Sequence, residues 1–396
     1  MRVGIDAKFA SPHYGGLGTY TVSIIQALVD LGKDEILAFV PDGRLGPYQL
    51  PPPSDSFTIC SVPVDVQAPE DFSQFRVYWE QTVLPVQLAQ QAIDVFFGPV
   101  FTAPLAWHGV RVVTVHDLLF ERSDQYNTTT SNSYYQDWAK RCAQQADAII
   151  TVSRSTAEDV RALWHINDIP ITAIHLAPTL SFLSSGRATS RTIMISALGI
   201  NDPYILYVGS SFPRKNLERL IAAYAALPAA LQHAIRLLLV TAQDPNVETL
   251  LATYGMSDRA TVMGYCDPNF LPHIYAAAEM LVLPSLFEGF GLPAIEAMAC
   301  GTPVVASTGG AIPEVVGDAA LLIDPFDTAN ITEAIARLLT NDDLRADLIA
   351  RGRRRACHFQ WTKTARSTRE VLAGSVAKRG TVVGLHAHAE QSAGEV

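Results

Sequence analysis

The stretch Met280-Leu281-Val282-Leu283-Pro284-Ser285-Leu286-Phe287-Glu288-Gly289-Phe290-Gly291-Leu292-Pro293-Ala294-Ile295-Glu296-Ala297-Met298 reads in turn as a strand, a loop and a helix. The apolar run predicts a buried strand, and Pro284-Ser285 a turn. Pro293 suits the first helical position, with Ala294, Ile295, Ala297 and Met298 continuing a good helix. Glu288 then lies in the loop at the carboxyl end of a strand, and Glu296 in the first turns of the following helix. Ligands of doubly wound sheets bind at that edge. Gly289 and Gly291 let the backbone approach a ligand closely and leave free N–H groups beside a helix N-terminus, which suits a phosphate. Flanking carboxylates suit hydroxyls, because an ionised carboxylate accepts hydrogen bonds from sugar or ribose. The competing reading of Glu296, as a complement to the helix dipole, is worth ~0.3–1 kcal/mol.

Outward from this stretch, short apolar runs alternate with helical patterns. Arg2–Ile5 is strand-like, and Val95–Phe97, Val110–Val115 and Ala148–Val152 predict buried strands in the first half. Tyr204–Val208, Arg236–Val240, Met280–Leu283 and Val304–Ala306 do so in the second. Continuous rather than alternating apolar runs point to parallel strands covered on both faces. Leu217, Leu220, Ile221 and Tyr224 recur at helical spacing between them. The expected architecture is doubly wound α/β, twice. A break is expected where Leu180–Thr192 turns polar and unpatterned, and Gln49–Arg76 carries no readable motif. Residues 378–396 predict a disordered tail, in which His386-x-His388 is incidental as a metal pair.

Val208-Gly209-Ser210-Ser211-Phe212-Pro213-Arg214-Lys215-Asn216 follows the first strand of the second half. Arg214 and Lys215 put two cations at the same edge as the Glu288 loop, where they can offset the charge on a departing diphosphate. A solvated helix start is a poorer reading, since cations are disfavoured at a helix N-terminus. In the first half, Tyr14-Gly15-Gly16-Leu17-Gly18-Thr19-Tyr20 precedes a helix with Val22, Ile25, Leu28 and Val29 inward. It lacks the Gly-x-Gly-x-x-Gly spacing of dinucleotide binders, which excludes a dehydrogenase, and it suits a lid over phosphates. Val113-Thr114-Val115-His116-Asp117 ends another strand, with Asp117 expected to orient the His116 ring. No Asp-x-Asp occurs, so the paired carboxylates that hold Mg²⁺ or Mn²⁺ on a diphosphate are missing from the sequence.

The 396 residues suit two domains of ordinary size. A net charge of -10 opposes nucleic-acid binding. Arg351, Arg353, Arg354 and Arg355 read as the solvated end of a helix rather than a phosphate or lipid patch. Five scattered cysteines without a Cys-x-x-Cys suit a reducing cytosol. The opening residues lead straight into a strand, and no apolar run reaches the ~18 residues of a membrane span, so the expected location is cytoplasmic. Tyr134, Tyr135, Trp138, Lys140 and Arg141 either form an amphipathic face for peripheral contact with the inner membrane face or pack a surface helix. Packing is the favoured reading.

Leu286–Val305 resembles the hallmark of retaining glycosyltransferase family 4 almost throughout, and the resemblance extends over roughly Met1 to Trp361. It implies a GT-B fold, two Rossmann-like doubly wound domains facing across a cleft. The implied division is an acceptor-binding domain over 1–180, a nucleotide-sugar domain over 191–360 and a helix over 361–377 crossing back to the first domain. It implies that Glu288 contacts the transferred sugar and Glu296 the ribose, while Arg214 and Lys215 hold the diphosphate. Gly15 and Gly16 approach the distal phosphate, Phe290, Gly291 and Leu292 donate backbone N–H groups, and His116 contacts the sugar. The implied reaction retains anomeric configuration, with the leaving phosphate taking the acceptor proton, and needs no metal or cofactor. Adjacent Arg214 and Lys215, where the commoner arrangement separates them, resemble bacterial mannosyltransferase-like members. That implies GDP-mannose as donor and a glycan or lipid-linked acceptor in surface polysaccharide synthesis. His175-Leu176-Ala177-Pro178 departs from the Asn-Gly often found before the linker. The rival readings are a catalytically silent nucleotide-sugar-binding subunit and a nucleotide-sugar 2-epimerase. Intact Glu288, Arg214, Lys215 and His116 speak against the first, and the Glu288-to-Glu296 hallmark beside the Arg-Lys pair against the second.

Overall fold

A computed structural model describes residues 1–65, 68–122, 135–179, 182, 186–264, 266–267 and 269–393. The chain divides into two units, Met1–His175 joined by Trp361–Val396, and Leu176–Gln360. The first holds β1 (Arg2–Asp6), β2 (Glu35–Pro41), β3 (Phe57–Val62), β4 (Val95–Gly98), β5 (Val110–Val115), β6 (Ala148–Thr151) and β7 (Ile171–Ala173). These run parallel in the order β3-β2-β1-β4-β5-β6-β7. The second holds β8 (Tyr204–Val208), β9 (Arg236–Val240), β10 (Ala260–Met263), β11 (Met280–Leu283), β12 (Val304–Ser307) and β13 (Ala320–Ile323). They too are all parallel, ordered β10-β9-β8-β11-β12-β13. The order reverses between β1 and β4 and again between β8 and β11, the crevice where such sheets bind ligands.

The central strands are buried on both faces, as their continuous apolar runs require: Ile205, Leu206, Leu281, Val282 and Val305 are all fully covered. In the second unit one apolar cluster lies on each side of the sheet. Ile205, Tyr207, Leu237 and Leu239 point one way, and Tyr204, Leu206, Leu238 and Val240 the other.

Three stretches differ from the sequence reading. Residues 49–76 contain the edge strand β3 and begin the helix Phe72–Tyr78. The polar break becomes the helix Arg187–Leu198 from Arg187 onward. Its Ser190 and Met194 are buried, so packing of one narrow face overrides a composition that favours a turn. The expected tail is also corrected: one helix runs from Trp361 to Ala393, past Lys378. Arg379 holds it by donating to the carbonyls of His108 and Gly109 (2.8 Å for Gly109). The side chains of His386 and His388 lie outside the described residues.

The first unit buries a charged group that local pattern did not reveal. Lys8 bonds to Asp6 and pairs with Glu80 at 2.6 Å, and Asp6 also accepts from the Trp79 indole at 3.0 Å. Burial opposes the Lys8 charge, but Asp6 and Glu80 outweigh it and raise its pKa. The arginine cluster caps and pairs within its own unit. Arg355 donates to the Val315 and Glu314 carbonyls at 2.8 and 2.6 Å, and Arg351 pairs with Asp347 and Asp318. In the Tyr134–Arg141 stretch, Tyr134 and the Tyr135 side chain lie outside the described residues. Trp138 is half-buried under the Arg141 guanidinium, 5.8 Å from its ring centre. Among the described residues no helix is long and apolar enough to cross a membrane.

Candidate active site

β8 and β11 end side by side at the reversal point of the second sheet, and their loops are tied together. After β8 the chain turns through Pro213–Lys215 into Asn216, whose left-handed backbone (φ 60°) redirects it into the helix Leu217–Ala225. Buried Asn216 donates through Nδ2 to the carbonyls of Pro284 at 2.9 Å and Pro325 at 2.7 Å. The Arg214 carbonyl accepts from the Leu286 N–H at 2.8 Å. The two motifs recognised separately in the sequence are therefore one hydrogen-bonded body.

Glu288 sits at its centre, 7% exposed. Its Oε1 accepts from Lys215 Nζ at 2.6 Å and from Ser285 Oγ at 2.7 Å, and its Oε2 from Arg214 at 3.4 Å. Burial alone would raise the carboxyl pKa. The nearby Lys215 and Arg214 charges, with the Lys215 and Ser285 hydrogen bonds, reverse that and hold it below the usual range. Glu288 is thus ionised at neutral pH, and with two cations the trio keeps a net charge of about +1.

Behind the loop run Gly309 and Gly310, which the sequence reading missed. A Cβ on Gly309 would lie 2.3 Å from the Leu286 carbonyl oxygen, and one on Gly310 would lie 2.4 Å from that of Glu288. Ser307 Oγ donates to the Ser285 carbonyl at 2.5 Å, and the Ala311 N–H to that of Glu288 at 2.9 Å. The available signal was the Gly-Gly pair following an apolar strand, a turn placed at the ligand edge.

Gly291 enters the helix Leu292–Cys300 at φ 100°, a conformation that needs glycine although a Cβ would meet nothing closer than 3.6 Å. Phe290 turns its ring into the core against Phe359, at 5.8 Å. Glu296 lies beyond the first helical turn, which contains no acidic residue, so the helix-dipole reading loses its basis. It is 9% exposed, and its Oε2 accepts from the Tyr275 hydroxyl at 2.8 Å. Burial pushes its pKa up to about 7, with the Tyr275 bond working in the opposite sense.

The first unit carries the remaining residues at the matching edge of its sheet. His116 follows β5 and is nearly buried. Its Nε2 lies 2.8 Å from the Pro99 carbonyl, which can only accept, so Nε2 holds the proton and Nδ1 is the acceptor. Burial lowers its pKa to about 4, against the pull of that bond, and the ring is neutral. The expected Asp117 partnership is corrected: Pro99 orients the ring, while Asp117 accepts from the Leu119 N–H at 3.3 Å. The Tyr20 and Phe101 rings pack against the imidazole at 4.8 and 5.5 Å. Gly15 (φ 58°) and Gly16 are exposed at the start of the helix Gly15–Leu31. Gly18 is the glycine that packing requires there, because its Cβ would lie 1.9 Å from the Ser11 carbonyl oxygen. Among the described residues no group of three or more His, Cys, Asp or Glu is placed to hold a metal ion.

Two family models match this chain, "Glycosyl transferases group 1" over residues 191–355 and "Glycosyltransferase Family 4" over 14–177. An Escherichia coli "O-antigen chain mannosyltransferase B" is 31% identical over 280 residues, covering 69% of this chain and 72% of the relative. A Mycolicibacterium hassiacum "MMP alpha-(1->4)-mannosyltransferase" is 33% identical over 252 residues, covering 62% of this chain and 58% of that protein. Sucrose-phosphate synthase of Thermosynechococcus elongatus superposes with a TM-score of 0.77 at 23% identity, over 96% of this chain and 100% of its own, and so shares the fold.

Proposed function

From the premise that the chain belongs to the glycosyltransferase family described by the group 1 and family 4 models, we propose that it transfers a hexose, with retention, from a nucleotide diphosphate sugar. The donor is GDP-mannose, and the acceptor is a glycan or lipid-linked glycan of a surface polysaccharide. The names of its mannosyltransferase relatives and the adjacent Arg214-Lys215 support that choice.

The observation that carries the reading is the contact of Lys215 and Arg214 with Glu288 at the reversal point of the second sheet. A diphosphate arriving there meets the surplus positive charge of the trio and the N-terminus of the helix Leu292–Cys300. The sugar C–O bond to the distal phosphate breaks as negative charge grows on that phosphate. Lys215 and Arg214 stabilise this charge without a metal. The acceptor hydroxyl oxygen bonds to the anomeric carbon on the face the phosphate leaves, and its proton passes to the leaving phosphate oxygen. Glu288 Oε2, the more weakly bonded oxygen at 3.4 Å from Arg214, accepts from a sugar hydroxyl.

Calorimetric titration of GDP-, UDP-, ADP- and dTDP-sugars against the wild type and Lys215→Ala tests this reading. One clear binder, lost in the variant and unaffected by EDTA, is the expected result. Failure of every donor to bind would sink it.

A further inference from the structure

Tyr275 was not singled out in the sequence, yet its buried hydroxyl is bonded directly to the second glutamate. It lies in the helix Leu271–Ala277, its side chain fully buried, with the Phe182 ring edge-on at 5.5 Å. Its backbone carbonyl accepts from Thr302 Oγ1 at 2.6 Å, and the preceding carbonyl, of Ile274, accepts from the Tyr204 hydroxyl at 2.6 Å. A phenol hydroxyl in such surroundings needs a partner, and this one donates to Glu296 Oε2 at 2.8 Å. That bond occupies the inner oxygen of a carboxylate that is 9% exposed, leaving Oε1 as the oxygen available to a ligand.

We infer that Tyr275 is a positioning residue for nucleotide recognition: by holding Glu296 Oε2 it aims Oε1 at the ribose diol and makes the site select ribonucleotides over 2′-deoxyribonucleotides. The inference rests on the proposed donor reading and adds a discrimination that this reading leaves open. A carboxylate with both oxygens free can rotate to follow whichever hydroxyl remains. One pinned at a single oxygen loses a hydrogen bond when the 2′-hydroxyl is removed. Wild type is therefore expected to bind GDP at least about tenfold more tightly than 2′-deoxy-GDP.

The test is the ratio of these two affinities, measured by calorimetry on the full chain. Tyr275→Phe keeps the ring and removes only the hydroxyl. It is expected to weaken GDP and shrink the preference to about two- or threefold, raising donor KM more than it lowers kcat. Tyr204→Phe is the matched control, since it deletes another buried hydroxyl bonded to the same helix and should leave the ratio unchanged. An unchanged ratio in Tyr275→Phe, or an equal fall in both variants, overturns the inference while leaving the donor reading intact. Absence of GDP and 2′-deoxy-GDP binding in the wild type, when another base binds, moves the same comparison to that base. Absence of binding by any nucleoside diphosphate overturns both readings together.

Discussion

Glu288 and Glu296 are eight positions apart, both nearly buried, and driven in opposite directions by their neighbours. Lys215 and Arg214 hold Glu288 ionised, whereas Glu296 has one neutral hydroxyl for a partner and titrates near pH 7. Lys215→Ala removes the closer of the two cations from Glu288. Turnover is expected to fall at least ~100-fold with stability reduced by about 1–3 kcal/mol, read by steady-state kinetics and by melting. For Glu296 the native pKa exceeds the unfolded one, so the folded state keeps a proton that the unfolded chain has released. Stability is therefore lost as pH rises from about 4.5 to about 7, by on the order of 3 kcal/mol. Glu296→Gln keeps an acceptor for Tyr275 and removes that charge. It should melt higher than wild type at pH 8, with little difference at pH 5, while binding donor more weakly. A variant no more stable at pH 8 would contradict the assigned ionisation. Donor affinity in the wild type should rise through pH 7 as the carboxylate forms, a dependence that Glu296→Gln should abolish. His116 reverses the sign of the argument: its pKa is depressed, so its neutral form favours the fold above pH 6.5, and that contribution fades as pH falls toward 4.

At the scale of elements, the site is a set of loops clamped to one another at the end of a sheet. Gly310 combines a left-handed backbone, φ 64°, with a close approach, the Glu288 carbonyl oxygen lying 2.4 Å from where a Cβ would sit. Gly310→Ala must push the Glu288 loop away. A loss of about 2–4 kcal/mol and a large fall in donor affinity are expected. Gly15→Ala offers the comparison, because Gly15 has a similar φ of 58° but nothing within 4 Å of its Cβ. Its cost should stay near 1 kcal/mol, the backbone term alone. Equal destabilisation by the two, measured in urea, would refute the clamp. Most of these elements were legible beforehand. β4, β5, β6, β8, β9, β11 and β12 match the apolar runs within a residue or so, because a strand covered on both faces must be apolar throughout. β3 was hidden by its position at the sheet edge, where Thr58 and Ser61 are exposed and break the run. The helix Arg187–Leu198 was hidden because few of its residues meet the core.

For the whole molecule, the last helix decides what the first unit is made of. Residues 361–393 pack on the helix Gly15–Leu31 and on β4, β5 and β6, with Ala365, Thr368 and Leu372 buried. Arg369 binds Asp34 at 2.6 and 3.2 Å, and the same carboxylate accepts from the Met1 amino group at 3.0 Å. A chain ending at Gln360 is expected to melt in two steps, the first unit's transition lowered by more than ~5 °C and the second's unchanged. A single transition at the wild-type temperature would show that the helix contributes nothing. The sequence by itself determined the doubly wound character, the two sheets and the identity of Arg214, Lys215, Glu288, Glu296 and His116 as the residues to watch. All of these follow from local pattern, since strands, loops and helix starts are written in neighbouring residues. Only the tertiary structure decided their chemical states. The ionisation of Glu288, the near-neutral titration of Glu296, the tautomer of His116 and the part played by Tyr275 come from burial and chiefly from partners 17 to 74 positions away, which no local pattern encodes.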